Sequence, residues 1–362
     1  MRPIPYSAFL SGMLFSACSF SPLVSPLGAF AAENPAERTE AMYDESFRAL
    51  PGGIMNDPLM AEAVAGAVAI DEANRSVLKR NLDIARNAFQ LFRAASRMPE
   101  AIWSRKDFDS LRRRLGQFVR MSDLLALQAR LCLYEDLHEE ALDALETLLR
   151  SAVHILSPLD QNSSLLETLN GFRTVDLVCE TLRPYMEDDS VKEMARRLFA
   201  DHPVFGDFSL AVQSHAADIT GNAAELISII LELDDITEVL RDAERLLQLD
   251  SGALNAEVAI NDLADQMAAC AADRKNEWLE ISGLPFQSTL ERVEALQRAD
   301  EARINQLGEA FRNGGPGMEP SRLLAEIVSL GSFLDLTLSV KMEMALREKM
   351  EAFAKGLPKM TD

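Results

Sequence analysis

The chain is poor in the residues that favour β-strands. Aromatic residues make up 6% of its 362 residues, while Leu and Ala dominate the 48% that are hydrophobic. Leu and Ala are strong helix formers, whereas aromatic and β-branched residues favour strands. No segment alternates apolar and polar residues over a sustained length, and no Asn-Gly or Asp-Gly turn lies between such segments. These absences exclude a sheet-based fold and predict an all-α protein.

Positive charge is also scarce, since the formal net charge is −21. An acidic surface repels phosphate backbones and anionic lipid heads. We therefore expect no nucleic-acid partner, and protein or peptide partners instead.

Cysteines are few, and none is spaced for a metal or haem site. Outside the N-terminal segment the chain has Cys132, Cys179 and Cys270, each among apolar residues of a predicted helix. We expect three buried thiols that pack as small hydrophobic groups. A single disulfide among the three remains an alternative, because spacing does not define pairing.

Motifs for catalysis and cofactor binding are missing. His138-Glu139-Glu140 lacks the second histidine of a zincin helix, and the glycine pairs lack the Lys-Ser/Thr of a phosphate-binding loop. His202 and His215 are predicted in surface or capping roles. Glu187-Asp188-Asp189 is predicted as a solvated helix start without the glycine of a calcium loop. We assign no catalytic, cofactor-binding or metal-binding residue.

The first 31 residues have the three parts of a secretory signal peptide. Arg2 precedes an apolar run from about Phe9 to Val24, and Ala29-Phe30-Ala31 places small residues at the −3 and −1 sites. We expect cleavage after Ala31 and a periplasmic or extracellular location.

A lipoprotein signal is the alternative. Phe15-Ser16-Ala17-Cys18 resembles a bacterial lipobox, which would place a lipid anchor on Cys18. Pro and Ser interrupt the apolar run, so an uncleaved membrane helix is disfavoured and no transmembrane span is expected in the mature chain.

The rest of the chain divides into three predicted parts. Residues 32–55 are acidic, contain Pro and Gly, and are expected to form a poorly ordered lead-in. Residues 56–283 form the main helical domain, and 284–358 form a hairpin of long helices packed on it. Helix-period spacing and short linkers predict an irregular, α-solenoid-like stack of about 10–12 helices in antiparallel hairpins, without significant sheet.

Capping residues set several of the predicted helix starts. Asp57 precedes Pro58, and Ser164 with Glu167 forms a capping box. Further starts are predicted at Ser122-Asp123, Asp136, Asp189, Asp207 and Ser288 with Glu291. One helix is predicted through Leu78, Leu82, Ala85, Phe89 and Phe92, and one central buried helix after Asn222.

One helical pair, at about 122–156, resembles a tetratricopeptide unit. It comprises Leu124–Tyr134 and Asp136–Ile155, with Ala141 where that family keeps a small residue for close helix approach. The family's Gly between the helices and its terminal Pro are missing, and helix starts do not recur at 34 residues. The resemblance implies helical-hairpin packing and no ligand site.

A wider resemblance covers roughly 75–350. Ala129-Arg130-Leu131 with the Glu140-Ala141-Leu142 helix, and Leu284-Pro285 with the Leu290–Ala299 helix, look like an uncharacterised group of exported helical proteins common in planctomycete-like bacteria. The group implies export and a helical fold but no activity.

Two surface features are candidates for partner binding. Arg112, Arg113, Arg114 and Arg120 form a basic island in an acidic chain, which either pairs with neighbouring acidic helices or binds an anionic partner. The C-terminal helix carries Met342, Met344 and Met350, which either pack in the core or bind a partner helix.

These patterns favour a non-catalytic protein-interaction or scaffolding module of the cell envelope or extracellular space. The alternatives are an all-α enzyme that acts on an envelope polymer through an isolated Glu or Asp, and a structural lipoprotein tethered through Cys18. A desolvated acid in a deep pocket would favour the enzyme, and an open groove with an apolar surface would favour binding.

Overall fold

The computed structural model describes residues 35–101, 103, 108–156, 164–201, 204–219, 241, 245, 260–313, 325–326 and 336–356. Within these ranges the chain forms twelve α-helices and no strand. The prediction of an all-α fold with this number of helices is confirmed.

Eight helices precede residue 202. They are α1 Pro35–Ala49, α2 Pro58–Val64, α3 Arg75–Ile84, α4 Arg86–Ser96, α5 Phe108–Tyr134, α6 His138–Leu156, α7 Leu165–Leu182 and α8 Asp189–Asp201. The remaining four are α9 (210–219), α10 Ile260–Ser282, α11 Phe286–Arg312 and α12 Leu336–Ala354.

The described residues fall into two compact units. One, the continuous unit, consists of 207–341, and the other, the discontinuous unit, combines 35–206 with 342–356. The boundary lies inside α12, between Lys341 and Met342. This division differs from the predicted boundary after 283, because helix patterns along the chain carry no information about which distant helices pack together.

The predicted poorly ordered lead-in is wrong where the structure describes it. Residues 35–49 form α1, which packs on α4. Thr39, Tyr43, Ser46 and Phe47 recur at helical spacing and are buried. The acidic composition of this segment therefore belongs to the other face of an amphipathic helix.

An aromatic cluster holds α1 in place. The Tyr43 ring centroid lies 4.9 Å from that of Phe92, 5.1 Å from Phe118 and 5.4 Å from Trp103. These edge-on and tilted arrangements are favourable for aromatic pairs.

Helix α6 lies at the centre of the discontinuous unit, where it contacts α4, α5, α7 and α8. Twelve of its nineteen residues are buried. A Cβ built on Gly171 of α7 would lie 2.5 Å from the side chain of Leu156, so α6 and α7 approach closely where the sequence has glycine.

Two predicted helix starts are confirmed. The Asp57 carboxylate accepts from the Leu59 N–H at 2.9 Å, and Ser164 with Glu167 forms a complete capping box.

Other predicted starts are corrected. Asp188 replaces Asp189 as the cap of α8, since it accepts from the Ser190 N–H, and Ser209 replaces Asp207 as the cap of α9, since it accepts from the Val212 N–H. Ser288 lies inside α11.

Helix boundaries differ from the prediction in two places. Ser122 lies inside the single helix α5, where its hydroxyl is buried, instead of starting a new helix. The predicted helix through Leu78 and Phe92 is divided at Ala85, whose ψ is near 0°. The predicted central helix after Asn222 lies outside the described residues.

Candidate binding cleft

A cleft of about 390 Å³ opens in the discontinuous unit, between α3 and α4 on one side and the C-terminal part of α5 on the other. Its apolar lining is Leu82, Phe89, Leu131, Cys132 and Leu137. Its polar lining consists of two amides, Gln90 and Gln128, and five charged groups, Lys79, Asp83, Arg86, Arg93 and Glu135. This volume and mixed lining are typical of ligand-binding clefts.

The turn between α5 and α6 builds one end of the cleft. The Leu137 N–H donates to the Cys132 carbonyl at 2.8 Å, and the Asp136 N–H donates to the Leu133 carbonyl at 3.2 Å. This is the Schellman pattern of helix ends, and Asp136 occupies its left-handed position with φ of 59°. The turn presents Leu137, 38% exposed, at the cleft.

The break at Ala85 builds the opposite wall. Ala85 is fully buried, and Leu82 before it and Phe89 after it both contribute to the floor. Asp83 and Arg86 flank the same break and lie at the rim, where they form an exposed ion pair of 2.7 Å.

The acidic groups of the cleft are held in ion pairs. Lys79 Nζ lies 2.8 Å from Glu135 Oε2, and this contact raises the pKa of Lys79. Since Glu135 is paired with an ammonium and Asp83 with a guanidinium, neither lining carboxylate is an isolated, desolvated acid.

Positive charge is in excess at the Arg93 end. Arg93 Nε lies 2.7 Å from Asp143 Oδ2, and Arg97 Nη2 lies 2.5 Å from Asp143 Oδ1. Two guanidinium groups therefore share one carboxylate. The Arg93 N–H is close to Asp143 but poorly aligned, so that its charge is paired while its hydrogen bond is not made.

Two further groups of the lining are partly buried. The buried Oε1 atom of Gln128 has no hydrogen-bond donor among the described residues. Burial, with smaller effects from Glu140 and Glu135, raises the pKa of the Cys132 thiol to about 11. A thiol with this pKa stays protonated at neutral pH and is a poor nucleophile.

The basic island predicted from the sequence is divided between structural and exposed roles. Arg114 pairs with Glu40 of α1 at 2.6 Å and lies over the Trp103 ring, and Arg120 donates to the carbonyls of Pro51 and Gly52. Arg112 and Arg113 are exposed on α5. None of the four lines the cleft.

His215 is fully buried, which corrects the predicted surface or capping role. Its ring packs edge-on against Trp278 at 4.7 Å in the continuous unit, and burial, with a smaller effect of Arg274, lowers its pKa to about 3. The partner histidine of that prediction, His202, lies outside the described residues.

The three cysteines form no disulfide with one another in the described chain. Cys179 is buried as predicted, whereas Cys132 and Cys270 are only partly so. No group of three or more His, Cys, Asp or Glu residues is placed for a metal ion within the described ranges.

Asp300 of the continuous unit is the clearest desolvated acid. Burial raises its pKa to about 6, against the opposing effect of its ion pair with Arg274. Glu277 also pairs with Arg274. Asp300 does not line the cleft.

The methionines of α12 are divided as well. Met350 is buried, Met344 is half-buried, and Met342 is 42% exposed. Cys18 and Ala31 lie outside the described residues, and none of the helices that the structure describes is long and apolar enough to cross a bilayer.

The cleft was missed because its polar residues were not examined as a set. Lys79, Asp83, Arg86, Gln90 and Arg93 recur at spacings of 4, 3, 4 and 3, each one residue after the apolar stripe. That signal exists in the sequence, but it is also typical of a solvent-exposed helix face.

Comparisons of the chain with protein-family models, with curated proteins and with solved structures find no match.

Proposed function

We propose that this protein is an exported, non-catalytic protein-interaction or scaffolding module of the cell envelope or extracellular space, and that a partner binds in the cleft. The observation that supports the proposal is an open cleft with an apolar floor whose lining carboxylates are both ion-paired. Such a lining favours recognition over acid–base chemistry.

The wider architecture proposed here is an α-solenoid-like stack of helical hairpins. The packing of α5 against α6 and of α6 against α7, joined by short connections, supports it. Stacked hairpins provide extended surfaces for protein partners.

Site-specific photocrosslinking tests the interaction. A benzophenone side chain replaces Leu137, which lines the cleft, or Ile84, which is exposed and lies outside it. We expect a specific crosslinked partner from Leu137 in the native organism and none from Ile84. Equal products from both positions, or none from Leu137 where established envelope complexes are recovered, would contradict the proposal.

The enzyme remains a second candidate because of Asp300. A carboxyl with a pKa of about 6 could serve as a general acid on an envelope polymer. Release of reducing ends from purified envelope polysaccharide, abolished by Asp300→Asn with unchanged folding, would favour the enzyme over the interaction module.

Export and lipidation are distinguished by the mature N-terminus. Mass spectrometry of the protein from its native host is expected to give a chain that starts at Ala32. A diacylated Cys18 would instead identify the tethered lipoprotein.

A further inference from the structure

We propose that the cleft binds a short extended peptide segment, with an aliphatic side chain on the apolar floor and a neighbouring Asp or Glu side chain at Arg86. This inference rests on the proposed function and adds the chemistry of the partner.

The buried polar groups of the cleft match a peptide group. Gln128 Oε1 needs a donor, and the Arg93 Nε–H has no aligned acceptor. One peptide bond carries a C=O and an N–H, so an extended segment supplies both partners. Completing buried hydrogen bonds of this kind is worth about 1–3 kcal/mol each against leaving them unmade.

The floor matches an aliphatic side chain. Leu82, Phe89 and Leu131 are buried and present apolar atoms to the cleft, and Leu137 lies exposed at its edge. A Leu or Val side chain placed on them leaves water with a gain of about 25 cal/mol for each Å² buried.

The charges match a single acidic side chain. Arg86 is 70% exposed, and its only printed ion pair is with Asp83 one turn earlier. Exposed pairs of this kind contribute less than about 1 kcal/mol, so Arg86 can exchange its partner at little cost. The two guanidinium groups on Asp143 add positive potential at the same cleft, while the net charge of −21 disfavours longer polyanions.

Two fluorescein-labelled hexapeptides test the proposal, Gly-Ser-Leu-Glu-Ser-Gly and Gly-Ser-Glu-Leu-Ser-Gly, with blocked C-termini. Fluorescence anisotropy with the mature chain is expected to give a Kd below ~100 μM for at least one. Replacing Glu by Gln, replacing Leu by Ser, or N-methylating the Leu amide should each weaken binding about tenfold or more. Weaker than ~1 mM binding of both peptides would overturn the proposal.

A charge exchange assigns the contact to Arg86. Arg86→Glu should weaken the Glu peptide about tenfold and strengthen the matching Lys peptide. Arg80→Glu, at an exposed site of α3 outside the cleft, changes net charge equally and should leave the ratio of the two affinities unchanged. Unchanged preference in the Arg86 variant would overturn the assignment.

The outcomes separate this inference from the proposed function. A crosslinked partner at Leu137 together with failure of both peptides means that the peptide chemistry is wrong and the interaction stands. Failure of both experiments rejects the two together.

Discussion

A hydrogen-bonded pair, Tyr43 and His154, joins α1 to the centre of the discontinuous unit. His154 Nε2 lies 3.0 Å from the Met98 carbonyl oxygen, which can only accept, so Nε2 carries the proton. Nδ1, 2.9 Å from the Tyr43 oxygen, therefore accepts from the phenol. Burial lowers the pKa of His154 and keeps this neutral arrangement.

Tyr43→Phe is expected to lower the free energy of unfolding by about 1–3 kcal/mol, because it leaves the buried His154 Nδ1 without its donor. Urea denaturation measures the change. Tyr134→Phe, at a half-buried position of α5, is the control and should change stability little. Equal losses from the two variants would show that the buried hydrogen bond contributes nothing specific.

His215 should make the continuous unit sensitive to acid. The unfolded imidazole titrates near 6.5, whereas the folded pKa is about 3. Between these values only the unfolded chain takes up the proton. The stability contributed by neutral His215 is therefore complete above pH 6.5 and is lost as pH falls toward 3.

His215→Phe should remove this dependence, so that stability relative to wild type improves by on the order of 1 kcal/mol from pH 7 to pH 5. Trp278 fluorescence, in a Trp103→Phe background, reports unfolding of this unit. Asp300, with its raised pKa of about 6, favours the folded state on acidification in both proteins and cancels in the comparison. Parallel pH profiles for the two proteins would contradict the assignment.

Among the helices, the approach of α6 and α7 depends on Gly171. Gly171→Ala places a methyl group against Leu156 and should destabilise the protein by about 1–3 kcal/mol despite the better helix propensity of Ala. Gly116→Ala is the matched control, since its Cβ meets nothing within 4 Å and should stabilise α5 by about 0.5–1 kcal/mol. Thermal unfolding of both variants should shift in opposite directions.

The turn that starts α6 has an Asp where the left-handed backbone favours Gly. Asp136→Gly should therefore stabilise the protein, by about 0.5–1 kcal/mol, whereas Glu140→Gly inside α6 should destabilise it by about 1 kcal/mol. Chemical denaturation measures both. A loss of stability in Asp136→Gly would mean that the Asp side chain itself supports the turn.

Local sequence signals predicted the helices better than their limits. The caps at Asp57 and Ser164 were predicted because each depends on residues within one turn. The break at Ala85 has no Pro or Gly to mark it, and the order in 35–49 depends on Phe92 and Phe118, far away in the sequence.

The cleft could not be predicted for the same reason. Gln128 and Arg93 matter because the fold brings α4 and α5 together, and each residue alone is typical of an exposed helix face. The resemblance to exported planctomycete-like proteins stays a prediction, as do export and lipidation.

At the scale of the whole molecule, the discontinuous unit depends on α12. Lys349 pairs with Asp176 and Glu180 of α7, Arg347 donates to the Gly206 carbonyl at 2.9 Å, and Phe353 packs against Phe199 at 5.9 Å.

Phe353→Ala should destabilise this unit by about 3–5 kcal/mol, whereas Met342→Ala, at an exposed position of the same helix, should cost far less. Hydrogen exchange of α8 amides measures the effect where it is expected. Unchanged protection of α8 in the Phe353 variant would show that α12 is not needed there.

Because a ribosome makes the chain from its N-terminus, the first 206 residues emerge long before α12. The intervening continuous unit, 207–341, must be synthesised before Phe353 can reach Phe199. The core that contains the binding cleft is thus expected to reach full stability only after synthesis passes residue 353, which gives a chain with a signal peptide time to cross a membrane before it becomes rigid.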